Sequence, residues 1–122
     1  MLKALIVDDD QDMRFLVRMT IEVANNGLVV SGEAADGAAA VRSVNADPPG
    51  VIVMDHRMPG MSGMETAREI LRDHPDQSIV LFSAYLDADT RAEAEALGIR
   101  ACLDKGDVHR LPETLWQLAP SA

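Results

Sequence analysis

Residues 51–63 read VIVMDHRMPGMSG, and this stretch is the most informative part of the chain. Four apolar residues lead directly into Asp55, a pattern that predicts a buried strand with a carboxylate at its C-terminal end. A proline–glycine turn follows, and Ser62 and Glu65 have the Ser-x-x-Glu spacing of a capping box at a helix N-terminus. Strand, acid, loop and helix in this order are typical of α/β proteins, which bind ligands beyond the C-terminal ends of their strands.

The rest of the chain alternates between short apolar segments and longer amphipathic ones. The predicted strands cover residues 3–7, 28–31, 51–54, 78–82 and 100–103. The predicted helices cover residues 11–26, the segment between Asp36 and Asp47, the segment between Ser62 and Pro75, residues 87–97 and residues 111–119. Short connections between alternating strands and helices predict an α/β fold, with a parallel sheet covered by helices on both faces. The alternation alone leaves the order of the strands open.

Two of the predicted helices differ in the size of the side chains on their inner faces. In the first helix, apolar and small residues recur at helical spacing and predict the face that packs on the sheet. These residues are Met13, Leu16, Val17, Thr20 and Ala24. The helix over residues 87–97 has an inner face made mostly of alanine. We therefore expect this helix to pack shallowly and to shift at little cost.

Length and composition limit the class of protein. The 122 residues are 48% hydrophobic and 25% charged, which predicts one globular domain over residues 1–122 with no separate effector domain. The net charge of −9, from 20 acidic and 11 basic residues, argues against direct binding to nucleic acid, which needs clustered lysine and arginine. No segment has the length and apolarity of a membrane span, so no membrane association is expected. The single cysteine, Cys102, fits a reducing cytoplasm.

Polar side chains follow four of the five predicted strands. Residues 8–10 are three aspartates after the first strand, Asp55 follows the third, Ser83 the fourth, and Lys105 comes after the fifth. Because the C-terminal ends of parallel strands lie at one edge of a sheet, these side chains are expected to converge. Clustered carboxylates repel one another unless a cation intervenes, and hard oxygen ligands suit Mg²⁺. A lysine and a hydroxyl at the same edge would bind the oxygens of a phosphoryl group.

Each of these residues also has an ordinary structural explanation. Aspartate after a strand often caps the next helix, as residues 8–10 would do for the first one. Asp55 would then be a hydrogen-bonded loop acid, and Lys105 a solvated surface residue. Such explanations are adequate for single residues but not for acids, hydroxyl and lysine together at the ends of four strands. The sequence therefore favours a site for a metal ion and a phosphoryl group.

Four short motifs together resemble the receiver domain of two-component response regulators. They are IVDDD at residues 6–10, VMDHRMPGMSG at residues 53–63, FSA at residues 82–84 and LDKG at residues 103–106. Their order and spacing fit that family over essentially the whole chain. The resemblance implies a doubly wound, flavodoxin-like fold, in which five parallel strands have the order 2-1-3-4-5.

The resemblance also implies the chemistry of the site. Asp55 would accept a phosphoryl group from the phosphohistidine of a sensor histidine kinase or phosphotransfer protein. Asp8 and Asp9 would bind Mg²⁺ together with Asp55, and the backbone carbonyl of Arg57 would complete the protein ligands. Such a domain catalyses its own phosphorylation and dephosphorylation, and its role is signalling in the cytoplasm rather than turnover of a separate substrate.

In the same way, the resemblance implies how phosphorylation would be read. Lys105 would pair with Asp55 or its phosphate, and Ser83 would be the hydroxyl that follows the phosphate when it arrives. A protein partner would then recognise a surface formed by the fourth helix, the fifth strand and the fifth helix. The resemblance leaves a homodimer open.

Two positions depart from the family pattern. Cys102 stands three residues before the lysine, where the family usually has tyrosine or phenylalanine, and Gly106 stands after it in place of proline. Because cysteine has no ring, the usual serine-plus-aromatic readout lacks its aromatic member. Cys102 itself is expected to be a buried strand residue rather than a redox sensor. We hypothesise that Tyr85, two residues after Ser83, supplies a substitute ring.

Two other interpretations remain open from the sequence. A haloacid-dehalogenase-like phosphatase carries an Asp-x-Asp motif after its first strand, and Asp8 and Asp10 have this spacing. Such an enzyme would leave the motif around Asp55 unused. Alternatively, the chain is a degenerate receiver that is never phosphorylated and acts as a docking module.

Overall fold

The computed structural model describes residues 1–120, in which five strands alternate with five α-helices. The strands are β1 (Leu2–Val7), β2 (Leu28–Ala34), β3 (Val51–Asp55), β4 (Ser78–Ser83) and β5 (Ala101–Asp104). The helices are α1 (Gln11–Ala24), α2 (Gly37–Ala46), α3 (Gly63–Asp73), α4 (Ala88–Leu97) and α5 (Leu111–Gln117). A 3₁₀ helix over Lys105–Arg110 connects β5 to α5. The sequence pattern did not predict this 3₁₀ helix.

The five strands form one parallel sheet in the order β2-β1-β3-β4-β5. This result confirms the predicted α/β class and the order 2-1-3-4-5. Strand β2 extends to Ala34, three residues beyond the predicted end at Ser31. Strand β2 lies at the edge of the sheet, and its residues alternate between buried and exposed positions. The last three residues of the strand therefore form no apolar run from which a strand could be predicted.

Helices cover both faces of the sheet and bury two apolar clusters. On one face, α2, α3 and α4 pack on the sheet through residues such as Val44, Ile70 and Ala94. On the other face, α1 and α5 pack through residues such as Ile21 and Leu115. Because both faces are covered, the central strands β3 and β4 are buried along their whole length.

Helix ends follow the local capping signals in the sequence. Asp36 and Asp87 accept backbone N–H groups at the starts of α2 and α4. Ser62 and Glu65 form both hydrogen bonds of the predicted capping box at the start of α3. Gly98 ends α4 with a φ of 100°, a left-handed conformation that glycine adopts without strain. The predicted capping box is therefore confirmed, whereas the cap at Asp87 was not predicted from the sequence.

The predicted inner face of α1 is partly wrong. Val17 is buried as expected, but the second fully buried residue of the helix is Ile21, and Leu16 is exposed. Apolar residues occur on nearly all sides of this helix, so their spacing does not select one face. Packing on the sheet buries the side of the helix that carries the large Ile21 rather than the predicted side that ends in Ala24. Although α1 exposes several large apolar side chains, no helix within residues 1–120 is long and apolar enough to cross a membrane.

Candidate functional site

Three aspartates converge at the C-terminal edge of the sheet. One carboxylate oxygen each from Asp8, Asp9 and Asp55 lies within 4.8 Å of the others. Strands β1 and β3 are neighbours, and Val7 pairs with Met54, so the residues that follow them come side by side. Asp8 is 3% exposed and Asp55 is 5% exposed, whereas Asp9 is exposed to solvent. The expected convergence of these acids is therefore present in the fold.

Lys105 reaches two of the three acids from the end of β5. Its Nζ lies 2.9 Å from Oδ1 of Asp55 and 3.2 Å from Oδ2 of Asp8. The turn that positions Lys105 is held by the Gly106 N–H, which donates to Oδ1 of Asp104 at 2.7 Å. A proline after the lysine would lack this N–H, so glycine here supports the turn in a different way from the family pattern.

Burial and charge act in opposite directions on the ionisation of this cluster. Burial raises the pKa of Asp55, the hydrogen bond from Lys105 opposes that rise, and the negative charge of Asp8 adds to it. For Lys105, burial acts to lower the pKa, but Asp55 and Asp8 outweigh it and the pKa is raised. Three carboxylates against one ammonium group leave an excess of negative charge. The site is therefore suited to a second cation.

We expect Asp55→Asn to stabilise the fold at pH 7 by on the order of 1 kcal/mol. A raised native pKa means that the neutral carboxyl is favoured in the folded protein. The neutral carboxyl of Asp55 therefore contributes stability that is fully present below the pKa of Asp55 in the unfolded chain. This contribution is lost as pH rises through the raised pKa of Asp55 in the folded protein. Asparagine stays neutral at every pH, so its advantage should disappear as pH falls towards about 4. Urea unfolding at both pH values measures the difference.

The matched control is Asp76→Asn, which changes an exposed acid in the loop before β4. Its effect should stay within about 0.5 kcal/mol at either pH. Two results would contradict the interpretation that the buried charge of Asp55 destabilises the fold. One is an Asp55→Asn variant that is less stable than the native chain at pH 7, and the other is a gain in its free energy of unfolding that is the same at both pH values.

Ser83, Tyr85 and Arg57 form a second group beside the acids. Ser83 is 2% exposed at the end of β4, one residue beyond Phe82, the residue that pairs with Asp55. Its Oγ accepts a hydrogen bond from the backbone N–H of Tyr85 at 3.2 Å. The guanidinium carbon of Arg57 lies 4.8 Å from the centre of the Tyr85 ring, within the range of a cation–π contact. Within the described residues, no hydrogen bond joins Ser83 to Asp55.

Gly63 brings the start of α3 against the end of β3. Its N–H donates to the carbonyl oxygen of His56 at 2.7 Å. A Cβ added to Gly63 would lie 2.0 Å from the backbone carbonyl oxygen of Asp55, closer than any real contact. The loop that follows Asp55 can therefore close back on the strand only because residue 63 has no side chain. This role of Gly63 was not predicted from the sequence, in which a glycine at the start of a helix is the one signal for it.

Asp10 belongs to helix α1 rather than to the acid cluster. Its Oδ1 accepts the N–H of Asp12 at 2.9 Å and so caps the helix. Its own N–H donates to Oδ1 of Asp8 at 2.9 Å, which helps to orient that carboxylate. Asp8 is also fixed through its backbone, since its carbonyl oxygen accepts a hydrogen bond from Arg14 at 2.7 Å. Arg14 was not singled out from the sequence. Asp8 and Asp10 therefore have separate roles here, unlike the two aspartates of a phosphatase Asp-x-Asp motif, which would face one substrate.

Cys102 is only half-buried, and the prediction of a buried strand residue is wrong. It pairs in register with Leu81 in β4, and it lines a surface groove together with Arg91 and Glu95 of α4. Burial raises the pKa of its thiol, and the charge of Arg91 acts in the opposite direction. Strand β5 lies at the edge of the sheet, and the short side chains of α4 leave this part of it open.

The acid cluster fits a hard divalent cation. It offers carboxylate oxygens only, in a group compact enough for one ion to touch all three residues. Mg²⁺ is bound through one or two carboxylates with several waters retained, and exposed Asp9 leaves room for these waters. The guanidinium of the fourth predicted residue, Arg57, has no acceptor atom and faces the ring of Tyr85, so the predicted ligand is the backbone carbonyl of Arg57.

The sequence profile of the response regulator receiver domain matches residues 4–115. A curated relative, the protein-glutamate methylesterase/protein-glutamine glutaminase 3 of Hahella chejuensis, is 38% identical over 93 residues, which are 76% of this chain and 26% of that protein. Across the curated relatives considered, the chain spans between 26% and 48% of their length.

Solved structures match over nearly the whole chain. The response regulator domain of Thermotoga maritima CheB has a TM-score of 0.88 and 26% identity, with 96% of this chain and 95% of that chain covered. Response regulator TrrA of the same organism, solved in complex with Mg²⁺-BeF, has a TM-score of 0.82 and 27% identity, with coverage of 97% and 99%. Sequence and structure comparisons therefore agree on the same kind of domain.

Proposed function

Because the chain belongs to the response regulator receiver domain family of two-component signalling, we propose that Asp55 accepts a phosphoryl group. The donor is the phosphohistidine of a sensor histidine kinase or a phosphotransfer protein. The observation that supports this proposal best is the contact of Lys105 with both Asp55 and Asp8 at the sheet edge. A lysine at this place is suited to hold the oxygens of a phosphoryl group on Asp55.

The proposed reaction is a direct displacement at phosphorus. A carboxylate oxygen of Asp55 attacks in line with the departing imidazole nitrogen, so the P–O bond forms as the P–N bond breaks. The electron pair of the broken bond stays on that nitrogen, and the histidine leaves as neutral imidazole when its other nitrogen carries the proton. Lys105 stabilises the negative charge on the phosphoryl oxygens, and Ser83 provides a hydroxyl at the same edge.

Asp8, Asp9 and Asp55 would hold Mg²⁺, with the backbone carbonyl of Arg57 as a further ligand. When bound, Mg²⁺ neutralises the charge that accumulates on the transferred group. The chain's own acids bring that ion next to the acceptor oxygen, while burial of Asp8 and Asp55 limits competing water. The Mg²⁺-BeF complex of the TrrA neighbour supports the same use of the site in this chain.

We propose that the output is a change in protein binding at the surface formed by α4, β5 and α5. Helix α4 buries only Ala94, so few contacts oppose its movement when Ser83 responds to the phosphate. The chain would then act as one receiver domain that signals and that catalyses its own phosphorylation and dephosphorylation. The methylesterase relative is matched over only 26% of its length, and its esterase activity is not proposed for this chain.

The test is phosphorylation with acetyl phosphate, followed by intact mass spectrometry with and without Mg²⁺. The native chain should gain one phosphoryl group in the presence of Mg²⁺ and little or none after the metal has been chelated. If no mass is gained under either condition, or if gain does not depend on the metal, the proposed reaction is wrong. The first of these outcomes would favour the docking-module alternative.

A further inference from the structure

Tyr85 is the one exposed aromatic residue at the C-terminal edge of the sheet. The chain has four aromatic residues, and the other three are Phe15 on α1, Phe82 in the core and Trp116 on α5. Tyr85 lies in the loop between β4 and α4, and 66% of it is exposed. The position of so exposed a ring therefore depends on the few contacts that it makes.

Tyr85 makes two polar contacts within residues 1–120, and both are with residues close to the proposed phosphoryl acceptor. Its backbone N–H donates to the Oγ of Ser83, and its ring faces the guanidinium of Arg57. Ser83 ends the strand beside Asp55, and Arg57 follows Asp55 by two residues. The backbone and the ring of Tyr85 are thus each tied to a neighbour of Asp55.

A phosphoryl group on Asp55 would compete for both of these neighbours. The Ser83 hydroxyl would donate to an anionic phosphoryl oxygen, and turning towards that oxygen carries Oγ away from the Tyr85 N–H whose hydrogen bond it accepts. The guanidinium of Arg57 likewise binds an anionic oxygen more strongly than an exposed aromatic face. Ser83 would therefore turn its Oγ towards the phosphate, and Arg57 would move from the ring towards the new charge. Tyr85 would lose both contacts in the same event.

Arg57 also connects this event to helix α4. Its positive charge contributes to the lowered pKa of Asp87, the N-cap of α4, although the hydrogen bonds from Thr90 are the main cause. If Arg57 moves towards Asp55, this charge is withdrawn from the start of α4. The loop that carries Tyr85 leads directly into that helix, so ring and helix would respond together.

We infer that Tyr85 reports the state of Asp55: the Arg57–Tyr85 pair and the Ser83–Tyr85 hydrogen bond hold the ring before phosphorylation and release it afterwards. This inference rests on the proposed phosphorylation of Asp55, and it explains how the chain reads the phosphate without an aromatic residue at position 102. The half-buried Cys102 has no ring, so it cannot replace the aromatic side chain that the family usually has at this position.

The test uses 3-fluorotyrosine, because the chain contains a single tyrosine and gives a single ¹⁹F resonance from it. The full chain is titrated with Mg²⁺ and beryllofluoride, a mimic of the phosphoryl group, and the fluoride resonances of the bound probe report occupancy independently. The Tyr85 resonance should shift and narrow as the probe binds. In Arg57→Gln without the probe, the resonance should already lie towards the shifted position, and the change on saturation should be less than half of the native change.

The matched control is Arg68→Gln, the same chemical change at an exposed position on α3, which should leave the native pattern intact. If the probe binds while Tyr85 stays at its original resonance, or if Arg57→Gln behaves as Arg68→Gln does, the inference is overturned and the proposed phosphorylation stands. If neither beryllofluoride nor acetyl phosphate modifies the site, both are overturned.

Discussion

Asparagine in place of Asp55 is expected to lower phosphoryl incorporation from acetyl phosphate by about 10³-fold or more, which is below detection by intact mass. The amide has the shape of the carboxylate but lacks its nucleophilic charge, and it cannot form an acyl phosphate. Asp55→Asn is expected to be the more stable protein at pH 7, and the urea unfolding of this variant separates loss of chemistry from loss of fold. The measurement compares both proteins after equal incubation with Mg²⁺.

Asp10→Asn is the matched control for this loss. Asp10 caps α1, and asparagine accepts the same backbone hydrogen bond, so incorporation should stay at the native level. Asp55→Asn and Asp8→Asn together test the phosphatase alternative. Turnover of a phosphate monoester that survives Asp55→Asn but is lost in Asp8→Asn would contradict the receiver mechanism and favour the enzyme.

Alanine at Gly63 is expected to destabilise the fold by about 3 kcal/mol. Its Cβ would lie 2.0 Å from the carbonyl oxygen of Asp55 and 2.8 Å from the Cα of His56. Both obstacles are backbone atoms, so no side chain can turn away, and either the end of β3 or the start of α3 must move. Because the obstructing carbonyl belongs to Asp55 itself, the clash should also displace the acceptor residue, and phosphoryl incorporation per folded molecule should fall.

Gly32→Ala is the comparison for Gly63→Ala. A Cβ at Gly32 would meet only Cδ1 of Leu5 at 3.5 Å, an ordinary contact, so the change in stability should stay within about 1 kcal/mol. Urea unfolding of both variants gives the two free energies. Equal stability of the two variants would show that the loop after Asp55 tolerates a side chain at position 63.

Much of the secondary structure is readable from the chain because its signals act over a few residues. The capping box at Ser62, the caps at Asp36 and Asp87 and the left-handed end of α4 at Gly98 each depend on groups within one helical turn. The same holds for Asp55, since a strand of four apolar residues places the next residue at the sheet edge. The strand order is different: the alternation left it open, and the resemblance to a family supplied it.

Other features depend on contacts between distant parts of the chain, and no local pattern contains them. Packing against the sheet selected Ile21 over Leu16 on a helix that is apolar on several sides. The edge position of β5 left Cys102 half-exposed. Gly63 meets Asp55 only after the chain has turned back on itself.

The acid cluster combines both kinds of information. The residue types and their positions after strands are visible in the chain, and they are sufficient to expect a cation and a phosphoryl group. The pairing of Lys105 with Asp8, 97 positions away, exists only because parallel strands bring their C-terminal ends together. Distance, burial and the resulting rise in the pKa of Asp55 follow from that three-dimensional arrangement, since electrostatic forces depend on separation in space and not along the chain.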